Sequence, residues 1–117
     1  MRIKRPRERR RADRKPVTWT GRFGLNGAPE WDWRDCSIED ISQGGARVIA
    51  PADVTAHVGD AIAMAVERLG TTVVGIRLHG HIRYCEQRDG SLDLDLGVAL
   101  DFRTPQEQQI AQSLFAG

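Results

Sequence analysis

Two short groups of polar residues have the types and spacing to form a binding site for an anionic ligand. The first is a pair of arginines four positions apart, Arg10 and Arg14, directly before Lys15-Pro16. The second, Asp40-Ile41-Ser42-Gln43-Gly44-Gly45, fits the pattern Asp-x-Ser-x-x-Gly. Guanidinium groups donate bidentate hydrogen bonds to anionic groups such as phosphate. A carboxylate accepts hydrogen bonds, a serine hydroxyl bonds locally or to a ligand, and glycines permit close backbone approach and positive φ.

Each group also has an ordinary structural interpretation. The Arg-x-x-x-Arg spacing also begins at Arg5 and at Arg7, so the first group by itself could be simple tail charge. Asp40 and Ser42 by themselves could close a local turn before the two glycines. The two groups indicate a binding site more specifically when their order, their spacing and the predicted strands around them are considered together.

No pattern in the sequence predicts catalysis or a metal site. The chain lacks a Gly-x-x-x-x-Gly-Lys phosphate loop, a His-Glu-x-x-His pair and a Gly-x-Ser-x-Gly elbow, so we expect no catalytic residues and no enzyme activity. His79 and His81 lie two positions apart with no third ligand at a suggestive spacing. Cys36 and Cys85 are predicted to fill apolar positions. We therefore expect neither a metal nor a cofactor.

The net charge of +1 conceals an asymmetry along the chain. Residues 1–16 contain nine basic and two acidic residues, a net charge of +7, whereas the other 101 residues carry −6. A basic arm on a mildly acidic body indicates an anionic partner, either nucleic acid, a membrane surface or a phosphorylated ligand. No run approaches 18 apolar residues and no apolar stretch follows the charged N-terminus, so we predict a cytoplasmic protein without a membrane span.

The remainder of the chain is typical of short antiparallel strands. Within the segment 74–84, apolar and polar positions alternate, which assigns Tyr84 to the apolar face and Arg83 to the polar face. The segment 24–34 is long and Trp-rich, and it is predicted neither as ordered nor as disordered. Strands are predicted over 17–23, 34–41, 46–49, 62–66, 74–84 and 92–102, with a hairpin turn at 87–90.

The end of the chain predicts a helix. Thr104-Pro105-Gln106-Glu107 fits a capping box with proline at the first helical position, which predicts a helix from about Pro105 to Phe115 that docks on another surface. Short strands with one apolar face each bury a core economically when they close into a small barrel. We therefore predict a mainly β fold, a six-stranded antiparallel barrel with a C-terminal helix over 17–117, preceded by a flexible basic arm over 1–16.

The two polar groups, in this order on a β-rich chain, together resemble the PilZ domain, the bacterial receptor module for the second messenger cyclic di-GMP. The segment 96–102, Leu-Gly-Val-Ala-Leu-Asp-Phe, also resembles the last barrel strand of that family. The resemblance therefore covers most of residues 8–115. It implies a receptor that binds cyclic di-GMP and transmits the signal to an unidentified effector protein.

The resemblance also implies roles for individual residues. Arg10 and Arg14 would grip guanine and phosphate from the N-terminal loop, while the Asp-x-Ser-x-x-Gly segment would hold the other guanine on the barrel surface. Arg9 falls where an arginine tends to accompany a stacked pair of ligand molecules, which could bridge two chains and leaves a homodimer open. The implied ligand-binding residues are Arg9, Arg10, Arg14, Asp40, Ser42, Gly44 and Gly45.

Two other functions remain open at this point. The chain could be a ligand-free PilZ-like adaptor that docks on another protein. It could also be a nucleic-acid-binding module, with the arm on the phosphate backbone. The acidic body and the few exposed aromatic positions disfavour nucleic acid, because single-strand binders stack bases on aromatic side chains.

Overall fold

The computed structural model describes residues 15–42, 44–88 and 90–116, which form six strands and a C-terminal helix. The strands close into an antiparallel barrel in the order β1-β2-β3-β6-β5-β4. The predicted fold class is confirmed. Residues 1–14 of the predicted flexible arm lie outside the described residues, and its last two residues, Lys15 and Pro16, begin the first strand. The elements are β1 Lys15–Leu25, β2 Arg34–Ile41, β3 Gly45–Ala50, β4 Ala61–Leu69, β5 Thr72–Gln87, β6 Leu94–Asp101 and α1 Pro105–Ala116, with a single 3-10 turn at Glu30–Asp32.

All six strands contribute to the interior of the barrel. Alternation along each strand directs every second side chain inward, and each such large apolar side chain contributes about 1.5–3 kcal/mol when it is fully buried. Closure also leaves no strand edge unpaired, because β1 pairs with β2 on one side and with β4 on the other. Each strand contributes at least one buried apolar residue; from β1 to β6, examples are Phe23, Ile38, Val48, Met64, Ile82 and Leu96.

The helix α1 begins at the predicted cap and docks on the barrel. The Glu107 amide donates to Thr104 Oγ1 at 3.2 Å, and Glu107 Oε1 accepts from the Arg103 amide at 3.4 Å. The first bond satisfies an amide that the first helical turn leaves unpaired, and the second joins Glu107 to the chain just before the helix. Ala111 and Leu114 are buried, and Leu114 joins the core cluster of the barrel. Tertiary packing therefore stabilises a helix that is too short to be stable by itself.

The Trp-rich segment between β1 and β2 is an ordered loop. Asn26 and Gly27 both have positive φ, as the tight turn at this point requires. The Trp33 ring covers Gly24, where a Cβ would overlap the indole, and Trp33 Nε1 donates to the Ala28 carbonyl at 2.9 Å. Packing across the outer barrel surface therefore fixes a segment that the sequence left open.

A bulge in β5 changes the faces of its last residues. Ile82 lies opposite Val98 on β6, but Tyr84 lies opposite Gly97, so one extra residue is inserted between them. The Tyr84 ring consequently packs over Gly97 on the outer surface, and Cys85 turns toward the core. The prediction that Tyr84 shares the apolar face with Ile82 is wrong for this reason.

Candidate functional site

The predicted Asp-x-Ser-x-x-Gly segment forms the tight connection between β2 and β3. The Ser42 amide donates to the Gly45 carbonyl at 2.9 Å, and the Leu100 amide of β6 donates to the Gly44 carbonyl, also at 2.9 Å. Ser42 Oγ lies 3.5 Å from the Gly45 carbonyl, which is long for a hydroxyl hydrogen bond. The backbone therefore closes this turn, and the serine hydroxyl remains able to bond to a ligand.

The two glycines of the segment have different structural roles. A Cβ on Gly45 would lie 2.9 Å from the Val98 carbonyl oxygen, so the close approach of β3 to β6 requires glycine at this position. The positive φ expected from the sequence is not found at Gly45, which is an ordinary strand residue. Gly44 is exposed, and a Cβ there would meet no atom within 4 Å. Gly44 therefore leaves open space above the loop.

A cavity of about 240 Å³ lies next to this loop on the outer wall of the barrel. Three of the predicted ligand-binding residues line it, and Asp40, half-buried near the end of β2, does not. A cavity of this volume is smaller than a typical pocket for a drug-sized molecule, so it fits one part of a dinucleotide, such as a base. Its lining residues are Ser42, Gly44, Gly45, Arg83, Tyr84, Gly97 and Val98.

Asp40 belongs to the same outer wall through the strand register. Asp40 lies opposite Arg47 on β3, Arg47 lies opposite Gly97 on β6, and Gly97 lies opposite Tyr84 on β5. These four residues therefore form one row across four adjacent strands. With about 4.8 Å between neighbouring strands, the row spans roughly 14 Å from Asp40 to Tyr84. The structure thus brings the predicted acidic residue into register with one wall of the cavity.

Two arginines near the cavity are already paired with carboxylates. Arg47 Nε lies 2.9 Å from both carboxylate oxygens of Asp95, and these hydrogen bonds raise the pKa of the Arg47 guanidinium. Arg88 Nη1 donates to Glu39 Oε2 at 2.7 Å. Arg83, by contrast, is exposed and makes no ion pair with another residue of the described ranges. Its guanidinium is the cation that lines the cavity.

The remaining predicted residues belong to the arm. Arg9, Arg10 and Arg14 lie outside the described residues, so the structure does not describe their side chains. The described chain begins at Lys15, which pairs with Ile41, and Pro16 pairs with Asp40. The arm therefore joins the barrel beside the Asp-x-Ser-x-x-Gly segment.

Sequence reasoning missed four residues of the cavity. Arg83 was assigned only to a polar strand face, Tyr84 to the opposite face, and Gly97 and Val98 to alternating strand positions. The bulge in β5 carries no pattern of its own in the sequence, because it becomes visible only in the pairing with β6. The one available signal was the dipeptide Arg83-Tyr84, a cation next to an aromatic residue.

Neither a metal cluster nor a membrane-spanning helix is found in the described part of the chain. Among residues 15–42, 44–88 and 90–116, no three potential ligands of the His, Cys, Asp and Glu types come together. His79 Nδ1 lies 3.8 Å from Glu107 Oε1, and His81 Nδ1 lies 3.2 Å from Asp101 Oδ2. None of the described helices is both long enough and apolar enough to cross a membrane.

Comparison with known proteins identifies relatives by fold and family. A search of curated protein sequences finds no significant match. Among solved structures, the chain is similar to the Bacillus subtilis inhibitor of motility MotI/DgrA, with 12% identity and a TM-score of 0.68 over 88% of this chain and 47% of that one. It is also similar to Borreliella burgdorferi PlzA, solved in complex with c-di-GMP, with 18% identity and a TM-score of 0.50 over 98% of this chain and 41% of that one.

The chain thus spans less than half the length of each of these proteins, and at such identities they show a shared fold alone. The family comparison is more specific, because the model of the PilZ domain matches residues 8–116, nearly the whole chain. That range includes the arginine pair, the Asp-x-Ser-x-x-Gly segment, all six strands and the helix. The chain belongs to the PilZ domain family.

Proposed function

We propose that this protein is a cyclic di-GMP receptor. The observation that carries the proposal is that Ser42, Gly44 and Gly45 line a cavity beside the point where the arginine-containing arm joins the barrel. Membership of the PilZ family supports it, and so does the complex of the related PlzA protein with c-di-GMP.

The proposed roles follow from the chemistry of the ligand. Cyclic di-GMP carries two phosphates, which suit the guanidinium groups of Arg10 and Arg14, and two guanines. The described chain begins at Lys15, the residue that follows Arg14 in the sequence, and there it pairs with Ile41 of the Asp-x-Ser-x-x-Gly segment, which supports the assignment of Arg14 to this site. Asp40 would accept from N1–H and N2–H₂ of guanine, and the Ser42 hydroxyl would supply a further polar contact.

The stoichiometry is part of the proposal. Arg9 precedes the arginine pair, where it would contact a second, stacked ligand molecule. A stacked pair held between arm and barrel offers a way to join two chains, so a ligand-dependent homodimer is expected together with two ligands per chain. One ligand per chain would contradict this assignment of Arg9.

The output is proposed to pass to an effector protein from the cytoplasm, where a bacterial second messenger acts. In this arrangement residues 1–16 act as the ligand-binding arm, and residues 17–117 supply the barrel surface and the helix. Co-purification with and without cyclic di-GMP would test whether a partner binds in a ligand-dependent way.

Isothermal titration of the purified protein with cyclic di-GMP tests the central proposal, with GTP and cyclic di-AMP as controls. Micromolar or tighter binding that is selective for the guanine ligand is the expected result. A folded protein that gives no heat would overturn the proposal in favour of the ligand-free adaptor. Broad binding to polynucleotides that weakens steeply with salt would instead favour the nucleic-acid-binding module.

A further inference from the structure

The wall of the cavity opposite the Asp-x-Ser-x-x-Gly segment is formed by two consecutive residues of β5, Arg83 and Tyr84. Consecutive residues of a regular strand point to opposite faces, so only one of them would normally reach the outer surface. The bulge after Ile82 removes this alternation and brings both residues to the rim of one cavity. A cation and an aromatic ring that covers Gly97 thereby line the same cavity.

Arg83 differs from most arginines of the described barrel in having no carboxylate partner. Five others are each held by an acidic side chain at 3.1 Å or less, and Arg68, far along β4 from the cavity, is exposed and also has no such partner in the described ranges. The donors of Arg83 are therefore available to a ligand in the cavity. The paired arginines are Arg22, Arg34, Arg47, Arg77 and Arg88.

The chemistry of this pair matches a guanine base better than a phosphate alone. A guanidinium fork donates two hydrogen bonds to O6 and N7 of guanine, which adenine cannot accept in the same way because its N6 is a donor. An aromatic ring stacks on the face of a base and has no comparable interaction with a phosphate. The cavity volume of about 240 Å³ also suits one base rather than the entire ligand.

We propose that Arg83 and Tyr84 bind one guanine of cyclic di-GMP, with Arg83 donating to O6 and N7 and the Tyr84 ring stacking on the base. This inference rests on the proposed function, since it assigns contacts within the same site. The opposite edge of that guanine, which carries N1–H and N2–H₂, is left for the acceptors of the Asp40–Gly45 loop. The guanine is thus recognised from both edges and one face.

Titration calorimetry with cyclic di-GMP tests the role of Arg83. Arg83→Ala is expected to weaken binding about tenfold or more, and Arg83→Lys is expected to remain weakened because lysine keeps the charge but loses the planar fork. Arg68→Ala removes an exposed arginine from the outer barrel surface away from the cavity, and it is expected to bind as the wild type does. Thermal unfolding of each variant verifies that the barrel is intact.

The stacking role is tested in the same assay with three variants of Tyr84. Tyr84→Phe retains the ring and is expected to bind nearly as the wild type does. Tyr84→Leu keeps apolar volume over Gly97 without an aromatic face, and together with Tyr84→Ala it is expected to weaken binding about tenfold. Wild-type affinity in the Tyr84→Leu variant would overturn the stacking assignment.

The outcomes separate this inference from the proposed function. If Arg83→Ala binds as tightly as the wild type while Asp40→Ala loses affinity, the protein is a cyclic di-GMP receptor and the assignment of Arg83 is wrong. If Arg83→Lys restores full affinity, Arg83 acts as a charge toward phosphate, and the guanine assignment is overturned. If the wild type itself does not bind cyclic di-GMP, both proposals fail.

Discussion

The Tyr84 ring packs over Gly97 so closely that a Cβ at residue 97 would overlap the ring atoms. The two residues are cross-strand partners on β5 and β6, and both line the cavity beside the Asp-x-Ser-x-x-Gly segment. The Tyr84 ring therefore packs directly against the backbone of Gly97. This position of the ring is possible because Gly97, on the neighbouring strand, has no side chain.

Gly97→Ala is expected to displace the Tyr84 ring and to weaken both folding and ligand binding. Overpacking of this kind costs about 1–3 kcal/mol in the free energy of unfolding, which urea denaturation would measure. Gly75→Ala is the matched control, because Gly75 also lies in a strand and a Cβ there meets no atom within 4 Å. Equal stability of the two variants would show that the ring moves away at no cost.

Much of the fold could be predicted from the sequence because its signals are local. Alternating apolar positions predicted the last three strands, and β-branched or aromatic segments between turn and glycine signals predicted the first three. Thr104 with Glu107 predicted the start of the helix, where the structure contains the capping hydrogen bonds. The Asp40–Gly45 segment was correctly expected between two strands. Periodicity and capping each depend on residues a few positions apart, which one sequence displays directly.

What the sequence did not predict depends on pairing between distant residues. The bulge that moves Tyr84 to the outer surface exists only relative to Gly97. Leu92 continues the alternation of β6, yet the strand begins at Leu94 and Leu92 is 72% exposed in the preceding turn. Alternation predicts which side chains of a strand share a face. The partner strand determines at which residue the pairing begins and where the register shifts.

Arg10→Ala and Arg14→Ala are each expected to weaken cyclic di-GMP binding at least about tenfold, because a hydrogen bond to a charged group contributes about 1.5–3 kcal/mol. The free energy of unfolding should change little, because both residues precede the first of the six strands that supply the barrel core. Arg2→Ala provides the control, since it removes one positive charge from the arm outside residues 8–116, which match the family. If all three variants lose affinity equally, overall arm charge rather than the arginine pair determines binding.

Asp40→Ala is expected to reduce selectivity for guanine more than it reduces attraction to phosphate. The carboxylate would accept from N1–H and N2–H₂, which adenine does not present, so the affinity ratio of cyclic di-GMP to cyclic di-AMP should fall. Competition titrations with the two dinucleotides would measure this ratio. Asp32→Ala, which removes an exposed carboxylate from the β1–β2 loop, should leave it unchanged. An unchanged ratio in Asp40→Ala would exclude this residue as a guanine contact.

Asp95→Ala is expected to destabilise the barrel, because it leaves the half-buried Arg47 guanidinium without its carboxylate. The loss should be about 1–3 kcal/mol, measured by chemical denaturation. Asp53→Ala removes a carboxylate from the exposed pair with Arg34, and it should cost less than about 1 kcal/mol. A double variant with apolar residues at 47 and 95 should regain part of the stability, since it no longer desolvates an unpaired charge.

The thiol of Cys36 is expected to be unreactive in the folded protein. Burial raises its pKa to about 12 from an ordinary value of 9.0, so the thiolate fraction at pH 8 falls about a thousandfold. A Cys85→Ser variant leaves Cys36 as the only thiol, because the chain has two cysteines. Its reaction with a disulfide reagent at pH 8 should be very slow until denaturant is added. Rapid reaction of the folded variant would show that the barrel opens at this position.

The same shift predicts how stability depends on pH. The folded-state pKa of Cys36 lies above the unfolded value, so the unfolded thiol ionises first. Below pH 9 both states keep the proton and the contribution to stability is fully present, whereas between pH 9 and 12 the free energy of unfolding decreases. In a Cys36→Ala variant this part of the alkaline loss should disappear, which denaturation curves at pH 8 and pH 10.5 would measure. An identical alkaline loss in both proteins would mean that other groups, and not the buried thiol, cause it.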